Sequence, residues 1–174
     1  VFDGAFSNRC YSESVKQAFI NFRSKAIENG RFNPDEDQIL TEQWSRIIVH
    51  LPYAFQAKRM FPDVFRHDRR NLSSWLDIEK EIGPEPLREN YSEGEDGDTD
   101  FERANDSYRR MISKTDEFRS FVHERIEKTQ RASSMVGNQY TGSILLALMS
   151  ALDSDLNENE DMKGHKVGLC GYGS

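Results

Sequence analysis

Cysteine is scarce in this sequence, and so are long apolar runs and surplus positive charge. Two cysteines, Cys10 and Cys170, exclude a disulfide scaffold and the common four-ligand zinc site, and they fit a reducing, cytoplasmic setting. The longest apolar stretch, Ile144–Met149, is far too short to cross a bilayer. No signal peptide is legible at the N-terminus. Lysine and arginine number 23 against 30 aspartates and glutamates, a net charge of −7. Such a chain is a poor non-specific partner for nucleic acid or an anionic membrane, although it can hold a local basic pocket for one phosphate-bearing ligand. P-loop, G-x-S-x-G and H-E-x-x-H motifs are also missing.

The 174 residues suit one domain, residues 1–174, with no internal repeat. Aromatic residues make up 11% and argue against wholesale disorder, despite a mean hydropathy of −0.77. The chain starts at Val1 and stops on Gly171-Tyr172-Gly173-Ser174, directly after an apolar run, which predicts a piece of a longer polypeptide.

Apolar spacings of three and four predict a helix from Asn8 to Asn29, with Tyr11, Val15, Ala18, Phe19, Phe22 and Ala26 on its buried face and Gly30 as its stop. Ile39–His50 reads two ways, but the β-branched triplet Ile47-Ile48-Val49 favours a short buried strand. A break is expected near Pro52, then a helix over Tyr53–Phe65 whose end Pro62 limits, and a further helix over Asn71–Ile82 closed by Gly83. Residues 85–100, with the run Glu93–Asp100, read as an acidic mobile loop; the spacing does not fit a calcium-binding EF-hand. Phe101–Glu127 predicts one long amphipathic helix or a broken pair. Thr129–Asn138 reads as irregular or a short strand, and Thr141–Leu152 as a helix buried on most sides. A polar loop over Asp153–Met162 and a strand over His165–Cys170 complete a helix-rich α/β chain with few short strands.

Of the four histidines, His67, His123 and His165 sit among charges and read as surface residues. His50 follows the apolar triplet, and strand ends are where ligands meet side chains in α/β proteins. An imidazole there either donates to a carbonyl or exchanges a proton, or it simply bonds locally. Lys58 and Arg59 lie two turns further on, and read either as a phosphate site at a helix start or as a solvated face. Gly137–Ser143 leads into the apolar helix, where Asn138 either caps it or presents its amide to a carbonyl. Neither cysteine has an activating neighbourhood, and Cys170 reads as inert and buried.

Four segments together resemble hydroxymethylglutaryl-CoA synthases, condensing enzymes of the thiolase superfamily. Asp3-Gly4-Ala5-Phe6-Ser7-Asn8-Arg9-Cys10-Tyr11 is similar to a D-G-x-x-S-x-x-C-Y helix start, and Val49-His50-Leu51-Pro52-Tyr53 to F-H-x-P-[FY]. Gly137-Asn138-Gln139-Tyr140-Thr141-Gly142-Ser143 is similar to G-N-x-Y-T-x-S, and Val167–Ser174 to I-G-[LV]-F-S-Y-G-S. Their order and spacing match the C-terminal half of the family.

The resemblance implies a layered thiolase-like fold and a synthase of the mevalonate route to isoprenoids. Such an enzyme joins acetyl-CoA to acetoacetyl-CoA, with coenzyme A thioesters as substrates and no separate cofactor or metal. It casts His50 as the catalytic group that polarises acetoacetyl-CoA. Asn138 and Ser174 contact the acyl portion, and Tyr140, Lys58 and Arg59 join them in substrate binding. The nucleophilic cysteine and the acid/base glutamate belong to the N-terminal half of the same enzyme, so neither Cys10 nor Cys170 takes that role. The fragment alone is expected to be inactive, and the complete enzyme to be a homodimer. Two departures stand out: Phe55 where the family has a lysine, and Gly171 where it has a serine. Two rival readings remain at this point: a related synthase acting on carrier-protein-bound acyl groups in polyketide β-branching, and a non-catalytic helical interaction module.

Overall fold

The computed structural model describes residues 4–34, 38–50, 56–137 and 139–171. Among the described residues, seven α-helices and two short strands run in the order α1 (Gly4–Glu28), β1 (Arg46–Val49), α2 (Gln56–Arg69), α3 (Trp75–Ile82), α4 (Glu95–Ile112), α5 (Asp116–Val122), α6 (Lys128–Val136), α7 (Ser143–Asn157) and β2 (Val167–Cys170). One turn of π-helix, His123–Glu127, joins α5 to α6.

The β-branched triplet forms a strand because it is covered on both faces. Arg46–Val49 pairs in parallel with Val167–Cys170, with Ile47 opposite Gly168 and Val49 opposite Cys170. All four β1 residues are buried. Ile47 and Val49 join an aromatic cluster supplied by α1, α2, α3, α4 and α5, including Phe19, Phe61, Phe65, Trp75, Phe118 and Phe121. Ile48 alternates to the other side, where α6 and α7 pack on the strand. A strand buried on both faces reads as a continuous apolar run. Gly168 has a steric reason: a Cβ there would lie 2.6 Å from the Trp44 ring.

The first helix forms as expected, and Gly30 ends it with φ +64° and its N–H on the Ile27 carbonyl. Its buried stripe is narrower than the sequence suggests. Tyr11, Val15, Phe19 and Ala26 are buried, whereas Ala18 and Phe22 are exposed, the Phe22 ring lying 5.7 Å from Trp44.

Several expectations are corrected. Pro62 does not end α2, which runs on to Arg69, because Met60, Phe61, Val64 and Phe65 bury one face of it and outweigh the missing backbone donor. Residues 85–100 are not one loop. From Glu95 onward the acidic run is the first turns of α4, where Glu95, Asp96 and Asp98 oppose the positive end of the helix dipole. Gly97 permits this, since a Cβ there would strike the Ser92 carbonyl oxygen. Of the two readings of 101–127, the broken one holds: α4 ends at Ile112 and α5 begins at Asp116. Thr115 starts α5 by accepting from the Phe118 N–H at 3.3 Å.

Thr129–Val136, expected as irregular or strand, is helix α6. Its small polar residues lie close against α7: Ser150 Oγ accepts from the Ala132 N–H at 3.1 Å and donates to the Lys128 carbonyl at 2.9 Å. The polar loop expected from Asp153 begins later, because α7 continues to Asn157 and buries Ser154 and Asp155. Asp155 bonds Arg46 (2.5 Å) and Lys128 (3.1 Å). Burial opposes its charge, but the bonds from Arg46 and Lys128 outweigh this and hold its carboxyl below the ordinary value. Nor is α7 buried on most sides among the described residues. Ala147, Ser150, Ala151 and Ser154 are buried, while Leu145, Met149, Leu152 and Leu156 form an exposed stripe. His67 is half-buried rather than a surface residue, its ring edge-on to Phe19 at 6.2 Å.

Candidate functional site

Parallel pairing brings the C-terminal ends of β1 and β2 together, and His50 stands at that end. Its N–H donates to the Cys170 carbonyl at 2.9 Å, and the Tyr11 hydroxyl donates to its carbonyl oxygen. Tyr11, His50 and Cys170 come from three different sequence motifs, some 40 and 120 positions apart on the scale of chain length. The backbone at His50 is thus held from both sides, which leaves the half-buried imidazole on a fixed base.

Cys170 is no nucleophile. Its side chain is half-buried rather than buried, and the desolvation it does meet pushes the thiol up to about 11, the direction that favours the protonated form. Its free partner in the count, Cys10, lies half-buried on α1. Among the described residues no group of histidines, cysteines and carboxylates is arranged to hold a metal.

Of the other residues singled out from sequence, Asn138 and Ser174 lie outside the described residues, as do Pro52 and Phe55. Tyr140 is 77% exposed and has φ +49°, a left-handed conformation that costs a non-glycine residue. It opens a short 3₁₀ turn in front of α7, and Ser143 Oγ steadies that turn by accepting from the Gln139 N–H at 3.3 Å.

Lys58 and Arg59 lie on the first turn described for α2 and line a cleft of about 850 Å³ between α2, α4 and α5. Lys58 pairs with Glu127 at 2.5 Å. The hydrogen bond from Lys58, then that from His123, holds the Glu127 carboxyl below its ordinary range. Arg109, Arg110 and Arg119 line the same cleft. Sequence reasoning missed these three, because arginines on the outer flank of an amphipathic helix carry no signal that separates a binding wall from a solvated face.

A histidine held by its backbone at the end of a parallel strand pair suits an α/β module that meets its ligand at strand ends, and Ser12, next to the Tyr11 that bonds the His50 carbonyl, lines the basic cleft. Residues 1–174 match the family described as hydroxymethylglutaryl-coenzyme A synthase C terminal, and the chain belongs to that family. The hydroxymethylglutaryl-CoA synthase of Haloferax volcanii is 31% identical over 172 residues, which cover 99% of this chain and 36% of that protein. The synthase of Saccharomyces cerevisiae is 24% identical over 178 residues, covering 99% of this chain and 33% of that one. The chain therefore spans about a third of the length of the curated relatives it matches. MvaS, solved in complex with 3-hydroxy-3-methylglutaryl coenzyme A, superposes with a TM-score of 0.63 at 21% identity, over 97% of this chain and 32% of that one. The fold is accordingly that of the matched part of MvaS, a helix-rich α/β arrangement with few short strands, as the sequence implied.

Proposed function

We propose that this chain is the acceptor-substrate side of a synthase that joins acetyl-CoA to acetoacetyl-CoA and yields hydroxymethylglutaryl-CoA, in the mevalonate route to isoprenoids. The observation that carries this is the junction at His50, where Tyr11 and Cys170, from the first and last family motifs, bond the backbone of the second. Family membership over the whole chain supports it.

In this reading the imidazole of His50 donates to the ketone oxygen of acetoacetyl-CoA. Negative charge builds on that oxygen as the new carbon–carbon bond forms, and a positioned donor stabilises it. Asn138 and Ser174 hold the acyl portion, and Tyr140, Lys58 and Arg59 bind the rest of the thioester. The acetyl-carrying cysteine and the acid/base glutamate come from the N-terminal part of the enzyme. The exposed apolar stripe on α7, with Leu169 on the outer strand, offers that part a surface to cover. The complete enzyme works as a cytoplasmic homodimer, and this chain alone does not turn over.

Replacing His50 with alanine in the complete enzyme tests the reading. Condensation should fall by about 10²–10³-fold, the loss seen when one oxyanion donor is removed, while acetylation of the cysteine persists. Equal condensation rates in variant and parent would eliminate the role of His50.

A further inference from the structure

The first sequence motif ends at Tyr11, which has no chemical part in the site described above, yet its side chain reaches that site from α1. Tyr11 is 3% exposed and belongs to the same core as Val15, Phe19, Phe61 and Phe65. Its hydroxyl donates to the carbonyl oxygen of His50, 39 positions further along the chain. Phenylalanines fill comparable places in this core with no hydroxyl at all. A buried hydroxyl costs free energy unless it is bonded, so packing alone would favour phenylalanine at position 11 as well. The hydroxyl serves the peptide it bonds.

That peptide stands where the strand gives out. Val49 is the last residue of β1, and the His50 N–H still donates to the Cys170 carbonyl at 2.9 Å. The His50 carbonyl lies one step further on, and a donor from a helix holds it. Each peptide unit is planar, so fixing the units on both sides of a Cα fixes the direction of its Cα–Cβ bond. The imidazole is then left only its staggered side-chain rotamers. The helix that presents the hydroxyl is itself tied down. Arg23 Nε lies 3.9 Å from the buried carboxylate of Asp68 on α2, and the Phe19 ring meets His67 edge-on at 6.2 Å. A group held from a packed helix is placed more exactly than one held from a loop.

We infer that Tyr11 is a positioning residue for the condensation, its hydroxyl fixing the peptide after His50 so that the imidazole stays aimed at the acceptor carbonyl; this rests on the role proposed above for His50 and extends it to α1. Tyr11 acts wholly through His50. Displacing a reacting group by about 1 Å can cost about 10²-fold in rate, so even partial release of this peptide is felt at the chemical step.

The test uses the complete enzyme with Tyr11→Phe, His50→Ala and the double variant. Tyr11→Phe keeps the ring in the core and removes only the hydroxyl. It should lower kcat for condensation about tenfold, with KM for acetoacetyl-CoA and the rate of cysteine acetylation unchanged. Added to His50→Ala, it should cause no further loss, since no imidazole remains to be placed. A merely structural role would lower both backgrounds by the same factor, and that result would overturn the inference. So would full condensation activity in Tyr11→Phe. A second readout needs no turnover. With histidines labelled at Cε1 with carbon-13, the His50 resonance, recognised by its loss in His50→Ala, should shift in Tyr11→Phe while the other histidine resonances stay in place. A His50 resonance that does not move would equally overturn the inference. If that resonance shifts yet His50→Ala condenses at the parent rate, the proposed role of His50 fails while the hold of Tyr11 on the imidazole stands.

Discussion

The two faces of β1 are buried by different means. Ile47 and Val49 meet a cluster of buried aromatic rings supplied by α1 to α5. Ile48 meets α6 and α7, a close pair lined by Ser133, Ala147, Ser150 and Ala151, whose outward side is itself apolar. One side is a large-ring core built from residues of this chain. The other is an inner layer that carries a buried charge network on one flank and exposed leucines on the other. Large aromatic rings can seal a core from one piece of chain, whereas small residues let backbones approach and pass the apolar burden to whatever lies beyond.

The large-ring side should be the more sensitive to truncation. The Phe65 ring packs 5.3 Å from Phe118, 5.4 Å from Phe121 and 6.2 Å from Trp75, with the Arg69 guanidinium 4.0 Å over its face. Phe65→Ala should cost about 3–5 kcal/mol in urea unfolding, the range for an aromatic removed from a close-packed core. A loss under about 1 kcal/mol would mean that this cluster is loosely packed, and the contrast between the faces would fail.

The inner layer rests on charge instead. Arg46 and Lys128 share the buried Asp155, and Lys128 also reaches Glu158 at 2.7 Å and Glu160 at 2.9 Å. Asp155→Asn keeps the shape and removes the charge, and should cost about 2–3 kcal/mol. The pH dependence has a definite sign. The folded carboxyl is held below the ordinary 3.8, so its contribution is complete above that value and is lost as pH falls from 3.8 through the lower folded value. An acid-unfolding profile with the same slope in the variant as in the parent would remove Asp155 from the account.

That difference also governs what could be read in advance. The triplet Ile47-Ile48-Val49 announced its strand, and the stripe Tyr11, Val15, Phe19 announced α1, because burial against aromatics leaves a periodic apolar trace. Helix α6 left none. Thr129, Gln130 and Ser133 are buried polar residues, and only their fit against α7 makes the segment a helix. The acidic run misled for a related reason: Glu95, Asp96 and Asp98 look solvated in sequence, yet they suit a helix N-terminus. At the candidate site, the buried strand that leads to His50 was legible through its apolar triplet. The anchors of that histidine, Tyr11 and Cys170, are set by chain topology, and the arginines of α4 and α5 have no local mark at all.

The smallest effect belongs to the exposed stripe, and it separates this chain from the complete enzyme. Met149 is 66% exposed on α7, with Leu145 and Leu152 beside it on the same stripe. Met149→Gln removes little buried apolar surface here, so unfolding of the 174-residue chain should change by no more than about 0.5 kcal/mol. If the N-terminal part of the enzyme covers α7, the same substitution places an unpartnered amide in an apolar contact and should cost the complete protein about 1–3 kcal/mol. Parallel melts of the two lengths read that difference directly. Equal small effects in both would mean that α7 faces solvent in the complete enzyme too, and the inner layer would then need no cover.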